Sequence, residues 1–340
     1  MAALRGVPPD GDVSGTVPGV PHPITCGAEV ADACAAGRPL VTLESSVLAQ
    51  GLPIPANREA EARMRAAIVA RGAVPAITAV VRGVPTIGLG GDDLERFLAR
   101  DGVTKLSSRD LAPAMVRGRD GATTVAASLT LAAAAGLEVF ATGGIGGVHR
   151  EPAYDESADL LALATAPVIT VCAGAKSILD LPGTLERLDS YGVTVLGYRT
   201  DEFPGFFTAH TGLRVPQRID EAAEIAAIFR ASRALGRRSA LLVVQPPPAD
   251  AALEAEVVEQ AVAQALVEAR TVGVRGATVT PFLLAAVERA RGALPRGQSR
   301  VARGERGPRR RDRGGARCDT MTRRAFRVRS TGIALRGWVV

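Results

Sequence analysis

The chain has 340 residues, 47% of them apolar but only 4% aromatic, and a formal net charge of +6. That length suits one large α/β domain or two small ones, with a core filled by Ala, Val and Leu. No run of about 20 apolar residues occurs, so a membrane-spanning helix is not expected.

Met1–Pro23 is rich in Pro and Gly and has no apolar stretch, so it reads as a disordered leader, not a signal peptide. Glu29–Ala36 is a short helix, and Pro39–Glu44 a strand that ends on a carboxylate. The segment Gly51–Asn57 holds two prolines and reads as a loop, with Asn57 expected to cap a helix over Arg58–Arg71. Ala76–Val81 and Thr86–Leu89 read as a hairpin, Asp92–Ala99 as a helix, and Val103–Leu106 as a brief strand. Asp110 is placed to open the next helix. Ala126–Ala135 is an Ala/Leu helix, and Leu137–Ala141 a buried strand ending at Thr142-Gly-Gly-Ile-Gly-Gly-Val-His149. Ser157–Thr165 is helical and Val168–Cys172 is a buried strand. Helices are expected at Thr184–Tyr191, Ile219–Leu235 and Ala251–Ala269, with strands at Thr194–Tyr198 and Ser239–Val244 between them. Such alternation over about 250 residues predicts an α/β sheet with helices on both faces.

The charge is unevenly spread. Arg296–Val340 carries fourteen arginines against Glu305, Asp312 and Asp319, so the rest of the chain is net acidic. A nucleic-acid argument from charge concerns the tail only. Cys26, Cys34, Cys172 and Cys318 show neither metal-ligand spacing nor a disulfide framework, which points to a reducing cytoplasm.

Only two of the 41 basic residues are lysines, Lys105 and Lys176. A generic surface cation here is arginine, so a retained lysine suggests a task arginine cannot do. A desolvated lysine amine can lose its proton and attack a carbonyl, whereas arginine stays charged. Lys176 follows the Val168–Cys172 strand, at the strand end where open α/β sheets bind ligands. The glycine-rich segment Thr142–His149 exposes backbone N–H groups and can hold an anion, but it is neither a Rossmann fingerprint nor a P-loop; a plain tight turn is the other reading. His149 ends it, though a lone histidine is more often structural. Asp155 and Asp159, four apart, are expected to share a helix face, either for a divalent metal and proton transfer or as ordinary helix-start acids. Glu44 is either a general acid/base or a solvated strand-end acid. Together these groups fit Schiff-base chemistry on a phosphorylated sugar.

Several stretches closely resemble one family, pseudouridine-5′-phosphate glycosidase (pseudouridylate synthase) of the indigoidine synthase A-like group. They are Leu43-Glu-Ser-Ser, Gly51-Leu-Pro-Ile-Pro-Ala-Asn57, Val103–Leu111, Gly121–Ala126, Phe140–Arg150, Asp155–Leu160, Val171–Asp180 and Thr280–Leu284. The resemblance spans about Pro23 to Glu288. It implies a three-layer α/β/α fold with a mixed, largely parallel central sheet. It also implies reversible cleavage of the C–C glycosidic bond of pseudouridine 5′-phosphate to uracil and ribose 5-phosphate. Lys176 matches the lysine that forms an imine with C1′ of the ring-opened ribose, and Glu44 the proton donor to uracil. Asp155 matches the residue at a manganese ion, bound largely through water. Lys105, Thr124, Val125, Thr142, Ser157, Ala158 and Asp159 match substrate-binding positions. Asp159 and His149 also match residues near the sugar that move protons. A cytoplasmic homotrimer is implied, with no membrane partner and no specific nucleic-acid site. The rivals are a lysine-imine lyase acting on another phosphosugar or C-glycoside, and an inactive scaffold or RNA-binding protein using the basic tail.

The domain is expected to occupy residues 24–289. From residue 290 the family pattern stops, and an Arg-rich stretch without apolar periodicity takes its place. Read one base later, permitted GC-rich codons from Leu294 onward can spell an amphipathic helix with the family's pattern. A shifted reading frame is one reading of residues 290–340; a natural basic extension is the other. The gene's DNA sequence separates them.

Overall fold

The computed structural model describes residues 24–293, except 152–153, 250 and 275–278. The leader and most of the basic tail therefore lie outside the described residues, as do the two readings of that tail. The strands are β1 (Thr25–Cys26), β2 (Leu40–Leu43), β3 (Val74–Val81), β4 (Val84–Ile87), β5 (Thr104–Leu106), β6 (Gly121–Thr123), β7 (Val139–Ala141), β8 (Val148–His149), β9 (Ile169–Cys172), β10 (Leu179–Asp180), β11 (Thr194–Tyr198), β12 (Gln217–Ile219) and β13 (Leu241–Val244). The helices are α1 (Ala28–Ala35), α2 (Ala56–Val69), α3 (Gly91–Ala99), α4 (Leu111–Val116), α5 (Val125–Ala134), α6 (Ala158–Thr165), α7 (Leu181–Ser190), α8 (Ala222–Ala234), α9 (Ala255–Thr271) and α10 (Val279–Ala293).

Strands run in the order β1-β4-β3-β2-β7-β9-β13-β11-β12, with β6 and β5 branching from β3. The pairs β3–β4 and β3–β6 are antiparallel, and the rest of this sheet is parallel. It is the mixed, mostly parallel sheet with flanking helices that the sequence predicts. Strands buried on both faces carry unbroken apolar runs. In β13, Leu242 and Val244 join a core cluster that includes Val258 and Val262 of α9, while Leu241 and Val243 face Ile225 and Phe229 of α8. In β3, Ile77 and Ala79 pack with Met64 and Phe97 of α2 and α3, while Ala76 and Val80 pack with Val30 and Ala127 of α1 and α5. These alternations follow the two-residue side-chain period of a strand.

Three local expectations change. Asn57 is no cap: it lies within α2, fully buried, and its Nδ2 donates to Leu48 O (3.0 Å) and Leu98 O (2.8 Å). A buried amide is more useful here as a tie between α2, a π-helical turn at Val47–Gly51 and the end of α3. The helix expected at Ile219–Leu235 starts later, because Gln217–Ile219 pairs with β11 as an edge strand. Asp155 and Asp159 do not share a helix face. Glu156 bridges Val148 in a β-like pairing, and the helix begins only after Ser157, whose side chain caps it. Asp110 does precede its helix, α4, but its side chain does not cap it: the carboxylate turns back to accept from Ser107 N (2.9 Å), closing a 3-10 turn over Ser108–Asp110.

Candidate active site

The parallel register lines up four strand ends. Leu43 lies opposite Ala141, Ala141 opposite Val171, and Val171 opposite Val243. Glu44 and Thr142 therefore leave the sheet side by side. The chain after β9 then turns under the glycine segment: Ala173 N donates to Gly143 O (2.9 Å), Ile145 N to Gly174 O (3.0 Å), and Lys176 N to Ile145 O (3.0 Å). This stitching fixes the backbone of Lys176 beside the strand end that carries Glu44. Beyond it, β8 pairs antiparallel with β10, with His149 opposite Leu179.

Glu44 is held at both oxygens. Thr142 Oγ1 donates to Oε1 and Ser46 Oγ to Oε2, each at 2.6 Å. Thr142, singled out as a substrate contact, thus holds the carboxylate in this structure. Behind Glu44 lies a network of four fully buried hydroxyls, Ser45, Thr78, Thr123 and Ser128. Thr78 Oγ1 bonds Leu43 O (3.0 Å), and shares bonds with Thr123 Oγ1 and Ser128 Oγ (2.8 Å each). Ser45 Oγ donates to Thr78 O (2.7 Å) and accepts from Thr123 N (2.9 Å). Satisfied buried networks rigidify. This one ties the Glu44 segment to the β6–α5 junction, which carries Thr124 and Val125. Ser45 and Thr123 lie in stretches that resemble the family, Leu43-Glu-Ser-Ser and Gly121–Ala126, but neither stretch signals a network.

Asp159 is 5% exposed and bridges two elements. Its Oδ1 accepts from Ala126 N in the first turn of α5 (2.9 Å), and its Oδ2 from Gly146 N (2.8 Å). Gly146 must be glycine here, because a Cβ would run into the Ser157 hydroxyl and the Asp159 carboxylate. The N-termini of α5 and α6 are thereby joined through one carboxylate. Thr124 caps the fold of α5 by backbone only. Its Oγ1 is buried and has no hydrogen-bond partner among the described residues. An orphaned hydroxyl at a helix start, with Ser157 and Ala158 opening α6 nearby, can receive a phosphate.

Lys105 sits on β5 against β6, opposite Ala122. Its surface remains open, yet neighbours desolvate it enough to lower the ammonium's pKa. Burial is the main cause and the Lys176 charge the second, opposed by Glu44 and Asp159. The four groups therefore share one electrostatic neighbourhood. Burial pushes the Cys172 thiol up to about 12, so it stays neutral beside the lysine and does not compete as a nucleophile.

His149 and Asp155 form a separate pair. Nδ1 lies 3.2 Å from Asp155 Oδ2, but out of line for a hydrogen bond, and the buried nitrogen is otherwise unpartnered. No group of three or more His, Cys, Asp or Glu suited to a metal occurs among the described residues. Asp155, half-exposed, is one carboxylate that could hold a divalent cation only with most of its waters kept.

Known proteins resemble this chain over most of its length. Residues 29–297 match the model of the family described as indigoidine synthase A like protein. The chain is 62% identical over 260 residues to the pseudouridine-5′-phosphate glycosidase of Gemmatimonas aurantiaca, covering 76% of this chain and 85% of that protein. It is 50% identical over 263 residues to that of Herpetosiphon aurantiacus, covering 77% and 87%. Among solved structures it is similar to the prealnumycin C-glycosynthase AlnA in complex with ribulose 5-phosphate, with a TM-score of 0.73 and 36% identity over 79% of this chain and 88% of that one. An indigoidine synthase A-like protein from Thermotoga maritima superposes with a TM-score of 0.72 at 32% identity, again over 79% and 88%.

Proposed function

The chain belongs to the indigoidine synthase A-like family, and on that premise we propose that it is a pseudouridine-5′-phosphate glycosidase. It cleaves pseudouridine 5′-phosphate, with one water, to uracil and ribose 5-phosphate. The observation that carries the reading is the convergence of Glu44, Lys105, Asp159 and Lys176 at one end of the parallel sheet.

A C–C bond to uracil breaks only if its electrons have somewhere to go. Lys176 Nζ bonds to C1′ as the ring oxygen leaves and takes a proton, which opens the ribose. Glu44 then protonates C5 of uracil. The nitrogen lone pair forms C1′=N while the C1′–C5 electrons return to the uracil ring. Water hydrolyses the imine, releasing ribose 5-phosphate and a neutral lysine. Lys105, the buried Thr124 hydroxyl and the starts of α5 and α6 receive the phosphate. Asp159 and His149 move protons at the sugar. Thr142 and Ser46 aim Glu44 by holding both its oxygens.

Asp155 would hold a divalent cation such as Mn2+, largely through the cation's waters; when bound it would supply positive charge to an anionic substrate. The protein works as a cytoplasmic homotrimer on this reading. No described helix is long and apolar enough to cross a membrane.

The likeness to a C-glycosynthase favours one rival, imine chemistry on a different C-glycoside. Release of free uracil from pseudouridine 5′-phosphate, followed by chromatography, tests the choice. Uracil release, abolished in Lys176→Arg, is expected. An active imine with ribose 5-phosphate but no uracil release would favour the rival.

A further inference from the structure

Lys176 follows Ala173-Gly-Ala, three residues with no side chain long enough to anchor the turn. A lysine on a flexible four-carbon stem needs its backbone fixed if its amine is to meet C1′ in one geometry. The fixing comes from a distant segment, Phe203-Pro-Gly-Phe-Phe-Thr208. Three of the chain's eight phenylalanines fall in these six residues, an unusual concentration in so aromatic-poor a sequence.

This segment grips the Lys176 turn from both sides. Before the lysine, Phe206 N donates to Ala173 O (2.8 Å), and Gly174 pairs with Gly205 in an isolated bridge. Gly174 has φ +82°, and a Cβ there would fall on the Pro204 carbonyl oxygen. After the lysine, Ser177 is 3% exposed; its Oγ donates to Gly205 O and accepts from Phe207 N (3.4 Å). The Phe206 ring also lies on the glycine segment. A Cβ on Gly143 would stand 3.0 Å from the ring, and one on Gly144 only 2.5 Å. That segment carries Thr142, which holds Glu44, and Ile145, which holds the Lys176 backbone.

Phe206 itself is strained, with φ +58° in a residue that is not glycine. Such conformations persist only where the surroundings over-determine them. Here they do: Phe203 and Phe207 are buried at 0% and 2% exposure, Phe207 meets the Phe206 ring edge-on at 4.5 Å, and Thr211 Oγ1 caps Phe203 O at 2.6 Å. A segment used only to connect β11 and β12 would have no need to hold a bulky residue in that region.

We infer that Ser177 and Phe206 are positioning residues, which clamp the Lys176 turn and the glycine segment together so that the amine and Glu44 face the same C1′–C5 bond. The inference rests on Lys176 being the imine-forming residue. Neither side chain has to touch the substrate for it to hold.

The test is the rate of borohydride trapping of the full chain by ribose 5-phosphate, measured against sugar concentration, with thermal melting as a control for folding. Ser177→Ala and Phe206→Ala are expected to lower the saturating rate about 10- to 100-fold, the range for a misplacement of about 1 Å. The half-saturating concentration stays within about twofold of wild type, because the sugar contacts are untouched. Phe206→Tyr, which keeps the ring on Gly143 and Gly144, stays within about threefold of the wild-type rate. A general loss of packing would not give this split between rate and half-saturation. Trapping of both alanine variants at the wild-type rate would overturn the inference. So would an unchanged rate with a raised half-saturation, since the side chains would then bind sugar. If Ser177→Ala melts early, the Phe206 pair decides alone. A wild-type chain with no adduct on Lys176 would instead overturn the imine reading, and this inference with it.

Discussion

Glu44, Lys105 and Lys176 have separable roles, and single substitutions divide them. Glu44→Gln keeps the shape that Thr142 and Ser46 hold but cannot give a proton. Uracil release should fall about 10²- to 10⁴-fold, the usual worth of a positioned general acid. Imine formation with ribose 5-phosphate should persist within about tenfold, because that sugar carries no uracil. Loss of trapping in the same variant would contradict the assignment of Glu44 to the leaving base. Lys105 gives a prediction about pH. Its folded-state pKa is lowered, by burial first and the Lys176 charge second, so its charge opposes folding. That penalty is fully present below the folded pKa and fades as pH rises toward about 10.4, the unfolded value. Lys105→Met should therefore melt higher than wild type at pH 7, and the advantage should shrink toward pH 10. A variant that melts lower at pH 7 would mean that Lys105 is stabilised by its carboxylate neighbours.

The elements around the site were unequally legible in the sequence. Leu241–Val244 announces itself by an unbroken apolar run, because a parallel strand is buried on both faces, and Val74–Val81 by a fully buried run interrupted only at Thr78. The short strands at Gly121–Thr123, Val148–His149 and Gln217–Ile219 did not. Each exists through pairing partners distant in the chain, and two or three residues carry no readable period. The same applies to the site. Glu44, Lys176 and Asp159 were marked by their motifs, whereas the hydroxyl network behind Glu44 draws on Ser45, Thr78, Thr123 and Ser128 from four places. Only the fold brings them together. Thr78→Val tests that network: it is nearly isosteric and removes a bond to Leu43 O along with two hydroxyl partners. We expect a loss of about 1–3 kcal/mol in urea unfolding, the cost of leaving buried polar groups unpaired. No measurable change would mean that the network is dispensable.

Across the whole molecule, the C-terminal ends of the central strands gather the chemistry. Glu44 leaves β2, Thr142 leaves β7 and Lys176 follows β9, while the β5–β6 branch brings Lys105 and Thr124 to the same place. The antiparallel β3–β6 register sets Val80 opposite Gly121 and Ala79 opposite Ala122, which brings Thr123, at the end of β6, to Thr78. Sequencing the gene across the codons for residues 290–340 decides between a shifted frame and a natural basic tail. The central claim is that Lys176 carries the sugar as an imine. Its most direct test is borohydride reduction in the presence of ribose 5-phosphate, read by intact mass and peptide mapping. The account predicts one reduced sugar phosphate per chain, on the peptide containing Lys176 and absent in Lys176→Arg. An adduct confined to Lys105, or one that survives in Lys176→Arg, would contradict it.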